Sequence, residues 1–298
     1  MDSKEQIKTI FIGTGNFAAI ILNDLIQNPF LDITLVITSP DKPSGRQQKI
    51  SISPVKQIAI EKQFPILQPD KISETEKYIS QLNPDINIIA DYGQIIPENI
   101  LDIPKYKSIN IHPSLLPKYR GASPIQTTII NSDKKTGTTI ILMDKQMDHG
   151  PIIAQQEIEI KNNETTTSLE IKLAHLSNKL IRKKLPLYIK NKIKPQPQDE
   201  TLATYTKKIA KEDGQIYFNK ETTKKIIQKM RGLSPWPGLW AIINNKRIKI
   251  INAKKTNQQP NNRQLIFKTK DGFIELKSIQ PEGKKIMTGE DFLRGMRN

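Results

Sequence analysis

Cysteine is absent from the 298 residues, which removes disulfides, thiolate metal ligands and thiol nucleophiles together. Histidine is scarce, and any imidazole chemistry must use His112, His149 or His175. No apolar run of about 18 residues occurs, and the opening MDSKEQIKTI lacks the apolar centre of a signal peptide. The chain is therefore expected to stay in the cytoplasm, without spanning or crossing a membrane. No metal-ligand cluster stands out, so no metal is expected.

Acidic residues are the next shortage: 30 against 46 basic ones, for a net charge of +16. The imbalance is uneven, with 25 basic and 21 acidic residues over 1–199 but 21 and 9 over 200–298. Lys, Ile and Asn are abundant throughout, as a bias toward A and T codons would leave them. Such a bias does not by itself gather charge into the last third. The pattern predicts a C-terminal domain that binds a polyanion such as nucleic acid.

With 36% apolar residues and a length beyond what one core usually organises, two domains are expected. KTIFIG, ITLVITS, INIIADYG, SINIH and TTIILMD are short runs rich in Ile, Val and Thr, apolar almost throughout, which fits parallel strands buried on both faces. Helical spacing lies between them at Phe17–Leu25, Pro54–Lys62 and Glu74–Leu82, with Ser53 as a cap and Pro54 at the first helical position. This alternation predicts an α/β domain wound on both faces, closed by a long helix over Leu169–Lys190. A linker is expected at 191–206, after which a helix near Thr222–Arg231 and short strands at Leu239–Ile243, Arg247–Ile251, Leu265–Thr269 and Phe273–Ser278 suggest a small β-barrel. The domains are accordingly 1–190 and 207–298.

The segment IFIGTGNFA sets glycines between a strand and a helix, either as an anion site at the helix N-terminus or as a tight turn. SINIHPSLLPKYRGASPIQ is more informative. Asn110 and His112 lie two apart on a strand and share one face at its carboxyl end, where open α/β sheets hold ligands. Together they have the donors a carbonyl needs when an amine attacks it, although such a pair, taken bare, is structural more often than catalytic. In LMDKQMDHG, Asp148 either orients His112 or makes a turn with Gly150; spacing alone does not choose. His149 reads as a loop residue beside the site. The long polar loop 39–54 carries Lys42, Arg46 and Lys49, as a solvated connector or as a grip on the phosphates of a nucleic acid end.

These residues meet in one pattern. His112-Pro-Ser-Leu-Leu-Pro117, preceded by Asn110 and followed by Tyr119-Arg120-Gly121, with Asp148 beyond, resembles the signature of the folate-dependent formyltransferases. Ser53-Pro54-Val55-Lys56, Tyr92-Gly93 with Pro97, Asp199-Glu200-Thr201, Ser234-Pro235-Trp236-Pro237-Gly238, and Gln280-Pro281 with Gly283-Lys284-Lys285 extend the likeness toward the members that act on methionyl-tRNA. The resemblance implies a Rossmann-like formyltransferase domain followed by a small OB-like β-barrel domain that contacts tRNA. It implies 10-formyltetrahydrofolate as formyl donor and initiator methionyl-tRNA as acceptor. Asn110, His112 and Asp148 would be catalytic, without a covalent enzyme intermediate. Ala90, Asp91, Tyr92, Gly93, Gln94, Ile95, Ile96, Ser114, Leu115, Leu116 and Pro117 would line the folate pocket, and Lys42, Arg46 and Lys49 would meet tRNA. A monomer is the default expectation. Gly15-Asn16 stands where the family usually has proline and an acidic residue, Asp91 where a small apolar residue precedes Tyr-Gly, and Gln47 where glycine is common. Formyl transfer to glycinamide ribonucleotide or to an amino sugar nucleotide would use the same three residues but leaves the basic second domain, with Trp236 and Trp240, unexplained. A catalytically silent RNA-binding protein would not require the intact triad.

Overall fold

The computed structural model describes residues 6–44, 49–261 and 263–295. Its backbone falls into two compact units, one made of Met1–Gly121, Lys135–Glu159 and Glu170–Tyr205, the other of Ala122–Lys134, Ile160–Leu169 and Thr206–Asn298.

The first unit opens with β1 (Ile7–Gly13), α1 (Asn16–Leu25) and β2 (Leu31–Ile37), followed by the short strands β3 (Lys42–Ser44) and β4 (Lys49–Ser51). Then come α2 (Pro54–Glu61), β5 (Ile66–Leu67), α3 (Glu76–Leu82), β6 (Ile86–Ala90), α4 (Glu98–Leu101), β7 (Ser108–His112) and β8 (Arg120–Gly121). After α5 (Pro124–Ile130), which belongs to the second unit, it resumes with β9 (Lys135–Leu142) and β10 (Ile152–Glu159) and takes in most of α6 (Thr166–Ile189).

Seven strands form one sheet in the order β10-β9-β7-β6-β1-β2-β5. The strands from β5 to β7 are parallel, as their continuous apolar runs predict: Ile10, Phe11 and Ile12 of β1 and Ile86 and Ile88 of β6 have no exposed surface. Helix α1 buries Phe17, Ala18, Ile21, Leu22 and Leu25, a stripe at helical spacing. Ser53 caps α2 by accepting from Lys56 N at 3.0 Å, with Pro54 at its first position.

The run TTIILMD lies in β9, which is antiparallel to both β7 and β10 rather than parallel. Burial on both faces leaves the same apolar signature whichever way a strand runs. Strand β10 carried no such signal, because its exposed residues 155–157 mark the edge of the sheet. The connector 39–54 contains a hairpin, in which Lys42 pairs with Ser51 and Ser44 with Lys49.

Strand β11 (Tyr205–Thr206) falls where the division between the units lies, and the second unit continues with α7 (Thr223–Gly232) and an antiparallel sheet of β12 (Leu239–Ile243), β13 (Lys246–Thr256), β15 (Gly272–Pro281) and β14 (Ile266–Thr269), in that order. Strand β16 (Met287–Thr288) pairs with β15, and α8 (Gly289–Arg294) follows. Register shifts in β13 on both sides of Asn252 bend the strand, so the sheet curls over Ile226, Leu239, Ile248, Ile250, Ile274 and Leu276. The expected barrel is thus a curled half-barrel: among the described residues no bonding joins β12 to β14. Gly232 brings the end of α7 onto α5, since a Cβ there would lie 2.6 Å from Ile130 Cγ1.

Candidate active site

Strand β7 ends at the carboxyl edge of the parallel sheet and delivers Asn110 and His112 there, and the loop between β9 and β10 brings Asp148 to meet them. Asn110 Nδ2 donates to Asp148 Oδ1 at 3.0 Å. The opposite amide orientation would set two acceptors against each other, so this one is fixed by chemistry. One amide hydrogen of Asn110 then remains for another partner. Gly121 N donates to Asp148 Oδ2 at 2.7 Å, and His112 Nδ1 lies 3.5 Å from the same oxygen.

The Asp148 carboxylate does not close a turn with Gly150. The carboxylate accepts from Asn110 and Gly121, far away in sequence, instead of closing its own turn. Gly150 serves a different end: a Cβ there would lie 1.8 Å from Leu142 O, so the chain passes β9 too closely for any side chain.

His112 is 4% exposed, and its Nε2 lies 2.9 Å from the carbonyl of Tyr119. A carbonyl can only accept, so Nε2 carries a proton and donates, which assigns the tautomer. Nδ1 then faces Asp148 across a gap longer than a hydrogen bond. It is the ring nitrogen left to meet a reacting atom, and its protonated form pairs with the carboxylate. His149 stays beside the site, with Nδ1 2.6 Å from Asp144 Oδ2 and Nε2 3.5 Å from Glu200 Oε1.

Residues 90–96 leave β6 as a loop at the same edge. Ile95 is 89% exposed, and a Cβ on Gly93 would meet nothing within 4 Å, so this segment offers an open rim. Gln94 accepts from Ile72 N at 2.9 Å, which ties the loop down, and Ile96 is buried beneath it. Burial pushes the Tyr92 phenol up to about 12, and its hydroxyl is enclosed without a hydrogen-bond partner. Ser114 to Pro117 lie deeper. Ser114 Oγ donates to Lys118 O at 2.6 Å, Leu116 N to Thr139 Oγ1 at 3.2 Å, and Leu115 covers Gly137. This packing fixes the turn that presents the Tyr119 carbonyl to His112.

Asp91 has φ +46°, and although the residue is exposed its carboxyl turns inward onto Gly15. That enclosure pushes it up to about 6 against the opposing effect of the Gly15 N–H. Glu170 of α6 accepts from Phe17 N and is pushed up to about 7, first by burial and then by the charge of Asp91. The N-terminus of α1 therefore meets the protein's own carboxyls, which answers for the glycine turn at 13–15.

A raised carboxyl favours folding while it is neutral and loses that contribution as pH rises from about 4.5 through about 7. Glu170→Gln is accordingly expected to raise stability at pH 8 by about 1–2 kcal/mol, after allowance for solvent screening, and to change little at pH 5. Melting curves at the two pH values check this; an equal effect at both would exclude the carboxyl pair as its source.

Residues 7–185 match the formyl transferase family model, and residues 208–297 match the model of the formyl transferase C-terminal domain. The chain belongs to the formyl transferase family. Relatives of this formyl transferase include the methionyl-tRNA formyltransferase of Dictyoglomus turgidum, 41% identical over 98% of this chain and 97% of its own. Its counterpart in Streptococcus thermophilus is 38% identical over 97% and 96%. Among solved structures, the sugar 3N-formyl transferase WlaRD, determined with dTDP and 5-N-formyl-THF, superposes with a TM-score of 0.67 at 26% identity, covering 94% of this chain and all of its own. HypX from Aquifex aeolicus reaches 0.69 at 15% identity, a likeness that shows the fold alone, and there the chain spans about half the length of its neighbour.

Of the residues expected to meet tRNA, Lys42 is exposed on β3, Lys49 lies on β4, and Arg46 falls outside the described residues. Among the described residues no group of three or more His, Asp or Glu is arranged to hold a metal, and no helix is long and apolar enough to cross a membrane. Sequence reasoning did not single out the part played by Gly121, whose N–H holds Asp148, or by the Tyr119 carbonyl. Backbone groups leave no trace in residue type, and only the place of both residues in the Tyr119-Arg120-Gly121 motif pointed to them.

Proposed function

We infer that this formyl transferase carries the formyl group of 10-formyltetrahydrofolate to the amino group of methionine on initiator tRNA. What carries the reading is the identity of about 40% with methionyl-tRNA formyltransferases, which runs through the basic C-terminal segment as well as the N-terminal one. The uncharged amine attacks the formyl carbon, forming the new C–N bond as electrons move to oxygen. Collapse then breaks the bond to N10 of the folate, and the amine proton leaves with the folate nitrogen or through water.

In this reading the free amide hydrogen of Asn110 and Nδ1 of His112 stabilise the developing oxyanion. Asp148 supports the cationic imidazole and helps the amine lose its proton. The open rim at 90–96, with the enclosed Tyr92 hydroxyl, suits a folate. The sequence division into a catalytic part at 1–190, a linker at 191–206 and a tRNA-binding part at 207–298 is retained as a proposal. In the second unit the Arg247 guanidinium lies 4.0 Å over the Trp240 ring, an arrangement suited to stacking and to phosphates. Lys42, Arg46 and Lys49 would grip the acceptor end of the tRNA.

The test supplies the purified protein with 10-formyltetrahydrofolate and charged initiator tRNA and measures formylmethionine after hydrolysis, with an amino sugar nucleotide as competing acceptor. Formylmethionine made by the wild type and lost in His112→Ala is the expected outcome. A formylated sugar with no formylmethionine would reassign the acceptor.

A further inference from the structure

We propose that Gln198, clamped by the buried Arg120, is a positioning residue that holds Asp148 in its working conformation. The proposal rests on the reading that Asp148 serves the reaction, and it places part of the machinery in the segment between α6 and β11.

Asp148 sits at φ +52°, a left-handed backbone that a residue with a side chain rarely adopts unless its surroundings impose it. One side chain does so here. Gln198 Nε2 donates to Asp148 O and to Gly150 O, both at 2.8 Å, so one amide grips the carbonyls on either side of His149. The amide is itself oriented, because its Oε1 accepts from Arg120 Nε at 3.1 Å and Nη2 at 2.8 Å. A reversed amide would set Oε1 against two carbonyls and its NH2 against a guanidinium, so only this orientation fits.

Arg120 has no exposed surface. Glu200 holds it through Nη1 at 2.9 Å and Nη2 at 2.6 Å, and Tyr205 Oη lies 3.2 Å from Nη1. Pairing with Glu200 keeps the guanidinium above its ordinary value, so the anchor remains charged. The next residue, Gly121, gives its N–H to Asp148 Oδ2. One buried arginine thus fixes Asp148 twice, through Gln198 at the backbone and through Gly121 at the carboxylate. A tie that merely fastened the segment after α6 to residues 119–121 would need no contact with the 148–150 turn, and the Tyr119 N to Thr204 Oγ1 bond at 2.8 Å already makes such a tie.

The experiment compares wild type, Gln198→Leu, Asp148→Asn and the double variant in formyl transfer from 10-formyltetrahydrofolate to methionyl-tRNA, with kcat and both KM values. Arg120→Lys, which keeps the charge and loses the fork onto Gln198, is the second route should Gln198→Leu fold poorly by circular dichroism. Gln198→Leu is expected to lower kcat between about tenfold and a hundredfold, with both KM values within about twofold. It should add little further loss in the Asp148→Asn background, because what it positions is already gone. An unchanged kcat, or losses that multiply in the double variant, would overturn the positioning role. If Asp148→Asn itself leaves kcat intact, the reading of the site fails, and this proposal with it.

Discussion

Asp148→Asn is expected to slow formyl transfer by two to three orders of magnitude, about 3–4 kcal/mol of transition-state stabilisation, while the fold is retained. The replacement keeps shape and removes charge. Whichever way the new amide turns, its NH2 faces a donor, either Asn110 Nδ2 at the 3.0 Å position or Gly121 N at the 2.7 Å position. Asn110 can answer by turning its own amide, but the hydrogen it would offer a substrate oxygen is then misdirected. The negative charge 3.5 Å from His112 Nδ1 disappears in either case, and with it the support for an imidazolium. Single-turnover rates at saturating donor and acceptor, beside melting curves, give the answer. A rate within about threefold of wild type would show that Asp148 only builds the turn.

How much of this arrangement was legible in the sequence depended on where the signal lies. The strands of the parallel sheet announced themselves because both faces are buried, so Ile10 to Ile12 read as an unbroken apolar run and Ile86 to Ile89 as one interrupted only by Asn87. The same rule misread the direction of β9, since burial carries no direction. Ser53-Pro54 worked as a local signal because a cap needs only its own helix: Ser53 accepts from Lys56 N at 3.0 Å. Asn110, His112 and Asp148 were singled out through residue type and motif, and what the structure adds is their mutual geometry. The loops of the site were opaque for a reason of range. Gln198 meets Asp148 from 50 residues away and Arg120 from 78, and no local pattern encodes a partner at that distance. Two of the unusual sequence positions explain each other once the chain is folded. A Cβ at residue 15 would lie 2.0 Å from Asp91 Oδ2, so Gly15 and Asp91 belong together, and proline at 15 would lack the N–H that Asp91 accepts.

Gly150→Ala is expected to be the most damaging single methyl in the loop between β9 and β10. The new Cβ would lie 1.8 Å from Leu142 O and 2.9 Å from Leu142 C, and these are backbone atoms of a buried strand that cannot rotate aside. Leu142 N is bonded to Pro151 O at 2.9 Å, so the loop cannot retreat without losing that bond. A cost of about 3 kcal/mol or more in stability follows. Formyl transfer should fall further than stability alone explains, because displacing Gly150 also pulls its carbonyl and that of Asp148 from Gln198. Gly93→Ala provides the contrast. With nothing within 4 Å of its new Cβ, it should change stability by less than about 0.5 kcal/mol, yet raise the KM for the folate donor if residues 90–96 border that pocket. Melting temperatures and donor KM values for the two variants separate a glycine required by packing from one exposed to a ligand. Equal melting temperatures for Gly150→Ala and wild type would mean that the 148–150 turn has room the structure does not show, and the rigid placement of Asp148 would have to be given up.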